Sequence, residues 1–231
     1  MTSETAREAC LRSFLDLLAR QPLRRIDLAA VAAASGVALS EMRASYGGVD
    51  DLLAAFFRST DRQVLAEGGP DAEDLTGEGP KERLFEVLMR RLDALEPHRA
   101  AVGALVKGAK RDPLLALMLM RLSARSQGWM LAAAGIDCAG LAGEVRAKGL
   151  AVLFARLLRV WLADDDPGLA RTMAALDQEL VQAGKILDML DDLAFIALPW
   201  RPRRRNGGRP DAAPEAGAPD AGGERAEAAG L

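Results

Sequence analysis

Residues 27–53, DLAAVAAASGVALSEMRASYGGVDDLL, constrain the fold of this chain more than any other stretch. Asp27 is a favourable N-cap, and apolar residues then recur at the spacing of one helical face. Gly36 ends this helix, because glycine adopts a left-handed backbone conformation without steric cost. A second short helix follows over residues 39–45, and a glycine pair ends it before a third helix begins. This order of elements predicts a helix-turn-helix.

The amino-acid composition predicts an all-α protein. Of the 231 residues 50% are apolar, which is enough for a substantial core, whereas only 4% are aromatic and runs of β-branched residues are nearly absent. The net charge is −3 and the pI is near 5.4, so the chain as a whole does not attract a polyanion. A surface that binds nucleic acid would therefore be a local patch.

Changes in composition divide the chain into four parts. Residues 1–66 contain the helix-turn-helix and its neighbouring helices, and we expect them to form a head domain. Residues 67–80 are rich in glycine, proline and acids, which predicts a linker. Residues 81–200 contain a second set of helical patterns and predict a body domain. Residues 201–231 combine proline, glycine, alanine and acids without periodicity, which predicts a disordered tail.

Hydrophobic periodicity predicts six helices in the body. They cover residues 81–97, 99–110, 113–135, 137–163, 167–183 and 185–200. Asp112 and Pro113 occupy the favoured cap and first positions of the third of these helices. That helix is apolar over most of its first half, so we expect it to lie at the centre of the bundle.

The residues that could take part in catalysis or metal binding do not form a catalytic set. His98 is the only histidine, and its place directly after a proline is typical of a surface or capping residue. The acidic triplet Asp164, Asp165 and Asp166 has the charge of a cation site, yet Asp166 precedes Pro167, where an N-cap belongs. We therefore expect no enzymatic activity, no metal and no cofactor.

The two cysteines, Cys10 and Cys138, are far apart and match no metal or redox spacing. Together with the lack of a signal peptide, they predict two reduced thiols in a cytoplasmic protein. No apolar run reaches the roughly 18 residues that a membrane-spanning helix needs. We therefore expect no membrane-spanning segment.

The framework of residues 27–53 resembles the DNA-binding head of the TetR family of transcriptional regulators. The shared features are the glycine–valine turn at Gly36, Met42 in place of a leucine, Tyr46 as the closing aromatic, and the acids and leucine pair of residues 50–53. The resemblance implies a homodimer that binds double-stranded DNA through its heads and is gated by a ligand in its bodies. By family analogy alone, the long helices near the end of the body would form the dimer contact, over residues 141–163 and 169–183.

The resemblance places the DNA contacts on the second helix of the motif and on a basic corner before the first. The residues concerned are Arg24, Arg25, Leu39, Ser40, Arg43, Ser45 and Tyr46. Arg43 would reach a guanine edge or a phosphate, whereas the arginine pair before Asp27 is equally compatible with a solvated corner. Three positions depart from the family: Ala38 replaces an N-cap serine, Glu41 brings an acid into the recognition helix, and Val49 replaces a lysine.

The family resemblance also implies a ligand pocket in the body. Its candidate residues are Met118, Trp129, Met130, Phe154 and Trp161. All five are more typical of core positions than of a pocket. Flexible, polarisable methionine side chains also fit an adaptable site for a small apolar ligand or lipid.

A second resemblance covers residues 84–102 and 157–180. These stretches are similar to an accessory protein of ubiquinone biosynthesis, found in mitochondria and alphaproteobacteria, which has a TetR-like fold, binds lipid and has lost DNA binding. The shared features of the second stretch are Trp161, an acidic turn at residues 164–167, Thr172 and the Leu176-Asp177 pair. The resemblance implies an apolar pocket and a terminal amphipathic helix that lies on a membrane.

Residues 185–205 are the candidate for that membrane contact, because leucines and Trp200 are followed by a basic cluster. Three aspartates in the same stretch would be repelled by anionic lipid, which favours the alternative of a core or dimer helix with a solvated basic tail. Two functions therefore remain open: a TetR-type regulator, or a lipid- or quinone-binding accessory protein with a degenerate head. The complete helix-turn-helix framework favours the regulator.

Overall fold

The computed structural model describes residues 3–67 and 79–197, with side chains for residues 4–67 and 79–185. These residues form an all-α fold, as predicted. The helices are α1 Ser3–Arg20, α2 Leu28–Ser35, α3 Leu39–Ser45, α4 Val49–Glu67, α5 Pro80–Leu95, α6 Arg99–Ala109, α7 Pro113–Ala133, α8 Gly140–Trp161 and α9 Ala170–Ala197, with 3₁₀ turns at Leu23–Arg25 and Glu96–His98. The chain divides into two compact units, residues 1–188 and 189–231, and the second contains the last turns of α9.

The helix-turn-helix is formed by α2 and α3, which both pack against α1. Asp27 caps α2, because its Oδ1 accepts a hydrogen bond from the Ala30 N–H at 2.7 Å. Gly36 then turns the chain with a left-handed φ of 67°. The bounds of both helices agree with the prediction from the sequence. The head core includes Phe14, Leu18, Val31, Met42 and Leu52, all fully buried.

Helices α4 to α8 surround the body core, and α7 and α8 pack along each other over much of their length. The core is continuous with that of the head, because α1 packs against α6 while α4 packs against α5 and α7. The largest fully buried side chains of the body are Leu88, Leu92, Met130, Leu157, Trp161 and Leu176. Head and body therefore pack against each other directly, in addition to their connection through residues 67–80. Residues 68–78 of that connection lie outside the described residues.

The prediction that α7 lies at the centre of the bundle is wrong for its first half. Leu114 is 79% exposed and Leu117 is 58% exposed, whereas the fully buried residues of α7 all lie between Ser126 and Leu131. A helix that is apolar on all sides gives no information about which side is covered. Here one side of the first half faces α6 and α8, and the opposite side faces solvent.

Helix α9 also differs from the prediction. The sequence indicated two helices that meet at Gly184, but the backbone is continuous from Ala170 to Ala197. A single glycine in a helix costs only about 1 kcal/mol relative to alanine, so it does not necessarily end the helix. The predicted membrane-contacting residues from 186 onward and the predicted tail lie outside the described side chains. Among the described helices, none is long and apolar enough to cross a membrane.

Candidate nucleic-acid interface and internal cavity

Helix α3 presents one face to the head core and the other to solvent. Met42 is buried against the core, whereas Ser40, Glu41 and Arg43 are exposed. Leu39, at the first position of α3, is 54% exposed, which is unusual for a large apolar side chain. The outward face of α3 therefore carries one apolar, one hydroxyl, one acidic and one basic side chain.

Three of the arginines predicted to contact DNA are available for an anionic partner. Arg24 and Arg25 are exposed in the 3₁₀ turn before α2, and Arg43 is exposed on α3. None of the three forms an ion pair with another residue of the part that the structure describes. By contrast, Arg7 pairs with Glu4, at 3.5 Å between Nη1 and Oε2.

Tyr46 and Ser45 lie where α3 ends. Tyr46 is only 6% exposed, and its hydroxyl donates a hydrogen bond to the Arg7 carbonyl oxygen at 3.0 Å. Burial raises the pKa of Tyr46, with a smaller contribution from Cys10. This side chain braces α3 against α1 and is not presented to DNA, while Ser45 is half-buried. The exposed residues of the predicted set are therefore Arg24, Arg25, Leu39, Ser40 and Arg43.

The body contains an internal cavity of about 280 Å³ between α4, α5, α6, α7 and α8. Its lining consists of Phe56, Phe57, Thr60, Arg91, Leu95, Val102, Leu105, Val106, Ala109, Lys110, Ala116, Leu119, Met120, Ser123, Phe154, Ala155, Leu158 and Arg159. The walls are almost entirely apolar, and the charged groups that line it among the described residues are all cationic. Predominantly apolar walls with a few polar groups are typical of small-molecule sites.

Of the five residues predicted for a ligand pocket, the structure places Phe154 in the wall of this cavity. Met130 and Trp161 are fully buried in the core, and Met118 packs against that core. Trp129 is 57% exposed and lines a different depression, formed mainly by α1 and α4. Sequence periodicity separates buried from exposed faces, but it does not distinguish a core contact from a cavity wall.

One wall of the cavity contains a buried ion pair that the sequence analysis missed. Arg91 Nη1 donates to Asp61 Oδ1 at 2.5 Å, and Ser126 Oγ donates to the same oxygen at 2.5 Å. The guanidinium also lies 5.4 Å from the centre of the Phe154 ring and 3.7 Å from Met130 Sδ. Its Nε has no hydrogen-bond partner. Burial lowers the pKa of Arg91, and the Asp61 carboxylate acts in the opposite direction.

The acidic turn at residues 164–167 stabilises the junction of α8 and α9. Asp164 Oδ2 accepts hydrogen bonds from Thr172 Oγ1 at 2.7 Å and from Thr172 N–H at 2.9 Å, and these bonds lower the pKa of Asp164. Arg99 stacks 4.8 Å above the Trp161 ring and donates to the Trp161 and Asp164 carbonyl oxygens. Asp166 accepts from the Ala170 N–H at the start of α9. The triplet thus caps and closes a turn, and no cluster of metal-binding side chains occurs among the described residues.

Comparisons with known proteins bear on the fold. No family model and no curated protein matches the sequence. A TetR transcriptional regulator from Nitrosomonas europaea ATCC 19718 superposes with a TM-score of 0.59 at 21% identity, over 77% of this chain and 97% of that one. A TetR transcriptional regulator from Rhodococcus sp. RHA1 superposes with a TM-score of 0.54 at 18% identity, over 79% of this chain and 97% of that one. The chain has a TetR-like fold.

Proposed function

We propose that this protein is a cytoplasmic, non-enzymatic transcriptional regulator of the TetR type, which binds operator DNA through α3 and responds to a ligand in the body cavity. The observation that carries the proposal is the geometry of α3. Met42 and Tyr46 attach this helix to the head core, and the opposite face is left open to solvent. A helix held in this way is what a helix-turn-helix presents to a major groove.

The exposed side chains of the head match distinct parts of DNA. Arg43 suits a guanine edge, because a guanidinium donates to both acceptors of that base. Leu39 suits a thymine methyl group, which is the apolar feature of the major groove. Arg24 and Arg25 suit the phosphate backbone, and the Ser40 hydroxyl would donate a hydrogen bond to a phosphate oxygen. Glu41 opposes this attraction, so binding would depend on the few arginines.

Helix α4 connects the candidate DNA surface with the cavity. It begins after a connection of three residues, 46–48, from the end of α3, and its Phe56, Phe57 and Thr60 line the cavity. Asp61, on the same helix, pairs with Arg91 in the cavity wall. A ligand that occupies the cavity therefore contacts the helix that positions the head, and a ligand with different affinities for two head positions shifts their populations.

Dimerisation is proposed through α8 and α9. Apolar side chains are exposed on both helices, and they are Leu141, Val145 and Val152 on α8 and Met173 and Val181 on α9. Covering them in a two-fold interface would remove apolar surface from water. A dimer would also provide two heads for the two half-sites of a palindromic operator.

The alternative function is a lipid- or quinone-binding accessory protein whose head no longer binds DNA. The apolar walls of the cavity favour it, as does the acidic Glu41 on α3. The two functions differ in one measurement, which is the affinity of the purified protein for DNA at low salt. Binding of lipid alone, with no DNA fragment bound, would support the accessory function.

The test is a gel-shift titration with the intergenic DNA next to the gene, followed by the Arg43→Ala variant. Loss of a base contact from Arg43 should weaken operator binding by roughly 1–3 kcal/mol. Arg121→Ala is a matched control, because Arg121 is an exposed arginine on α7 in the body. An operator affinity that is the same for both variants and for the unmodified protein would show that Arg43 does not read the DNA.

A further inference from the structure

The cavity reaches the surface between two cationic side chains. Lys110 and Arg159 line both the cavity and a shallow depression on the outside of α6 and α8. The depression also contains Lys107 and Arg99, and no acidic side chain of the described residues lines it. We call Lys110 and Arg159 the mouth. Within the described part of the chain, the side chain of neither mouth residue has an ion-pair or hydrogen-bond partner, and both are exposed.

The interior of the cavity differs from its mouth in charge. Arg91 lies against Phe154 of α8. Phe154 precedes Arg159 by five residues, so the two are about 7.5 Å apart along the axis of that helix. Asp61 already neutralises Arg91, so the interior holds no net charge. Between the interior and the mouth the walls are apolar, formed by residues such as Val106, Ala155 and Leu158. The cavity is therefore apolar along its length and positively charged at one end.

We propose that the cavity binds an amphipathic acid, with its apolar tail among α4 to α8 and its anionic head between Lys110 and Arg159. This inference rests on the proposed function only in taking the cavity as a ligand site. The tail gains by leaving water for apolar walls. The head pairs with two cations that have no other partner, at a position where it stays in contact with water and loses little solvation. A neutral head gains less there, because it offers no charge to the two cations, and a cationic head is repelled.

The test uses three ligands with the same tail: decanoate, decanol and decyltrimethylammonium, each titrated by calorimetry into the purified full-length protein at low salt. Decanoate should bind tightest and the ammonium weakest. The Lys110→Gln, Arg159→Gln double variant should weaken decanoate binding roughly tenfold while leaving decanol binding unchanged. Arg156→Gln is the matched control, because Arg156 lies on the same helix and pairs instead with Glu179.

Three results would overturn the inference. They are equal binding of decanoate and decanol, an unchanged preference for decanoate in the double variant, and no binding of any of the three ligands. A gel shift on the same samples separates this inference from the proposed function. DNA binding without decanoate binding would contradict only the proposed ligand class. Decanoate binding without DNA binding would contradict the proposed regulator and would support the ligand class.

Discussion

Replacing Asp61 with alanine should destabilise the protein more than any other single removal of a charge in the described residues. Asp61 is the counter-ion of Arg91, which is almost completely buried, and it also accepts the hydrogen bond of Ser126. Without the carboxylate, a guanidinium remains in an apolar wall with no anionic partner. The Ser126 hydroxyl loses its acceptor at the same time.

The magnitude follows from this environment. Breaking a buried pair from one side costs about 3–5 kcal/mol, because the remaining charge is uncompensated. For a chain of this size, each kcal/mol lowers the melting temperature by about 2–4 °C, so the expected decrease is about 6–20 °C. The cost of about 3–5 kcal/mol is a large share of the roughly 5–15 kcal/mol by which folded proteins are typically more stable than their unfolded states. Replacing both partners together, as Asp61→Leu with Arg91→Met, should restore most of the loss.

The assay is urea unfolding followed by circular dichroism, with the free energy of unfolding extrapolated to water. Glu179→Ala is the matched control, since Glu179 pairs with the exposed Arg156 at 3.4 Å. An exposed pair contributes about 0–1 kcal/mol, so this variant should unfold almost like the unmodified protein. A cost below about 1 kcal/mol for Asp61→Ala, equal to that of the control, would refute the reasoning about burial.

Two further predictions concern α8 and His98. A Cβ on Gly143 would overlap the backbone carbonyl group of Cys138, so Gly143→Ala should destabilise the protein by about 1–3 kcal/mol, whereas Gly149→Ala on the same helix meets open space and should stabilise it by about 0.5–1 kcal/mol. Thermal unfolding of both variants checks the opposite signs, and equal signs would contradict them. Burial lowers the pKa of His98 below its usual value near 6.5, partly offset by Asp16, so the folded state favours the neutral ring. The stability from this preference is present above about pH 6.5 and is lost as the pH falls through the folded pKa, so His98→Gln should flatten the pH dependence of unfolding in that window.

The sequence predicted the helix-turn-helix closely because its signals are local. Asp27 caps the start of α2 and Gly36 turns the chain at its end, and each acts within one helical turn. The same applies only in part to the acidic turn, where Asp166 accepts hydrogen bonds from the Gly168 and Ala170 N–H groups, although α9 begins at Ala170 and not at the predicted Pro167. Predictions of this kind need no knowledge of which helices become neighbours.

The cavity could not be predicted because its wall combines residues from five helices. Met130, Phe154 and Trp161 all have the apolar character that the sequence shows, but only the packing decides which of them faces empty space. The buried pair did leave one signal. Arg91 lies on the apolar stripe of α5, three residues after Leu88, where a charged side chain indicates a buried partner.

Helix α4 unites the two candidate sites, and the buried pair gives that union a physical basis. A ligand tail in the cavity packs against Phe56 and Thr60 of α4 and against Arg91 of α5, which α4 already holds through Asp61. Separating a buried charge pair costs several kcal/mol. We therefore expect α4 and α5 to move together at the position where Asp61 and Arg91 join them. We expect a shift of α5 caused by a ligand to be transmitted to α4 and, across the three residues 46–48, to α3. The Asp61–Arg91 pair would then contribute to the coupling between cavity and head that the proposed function requires.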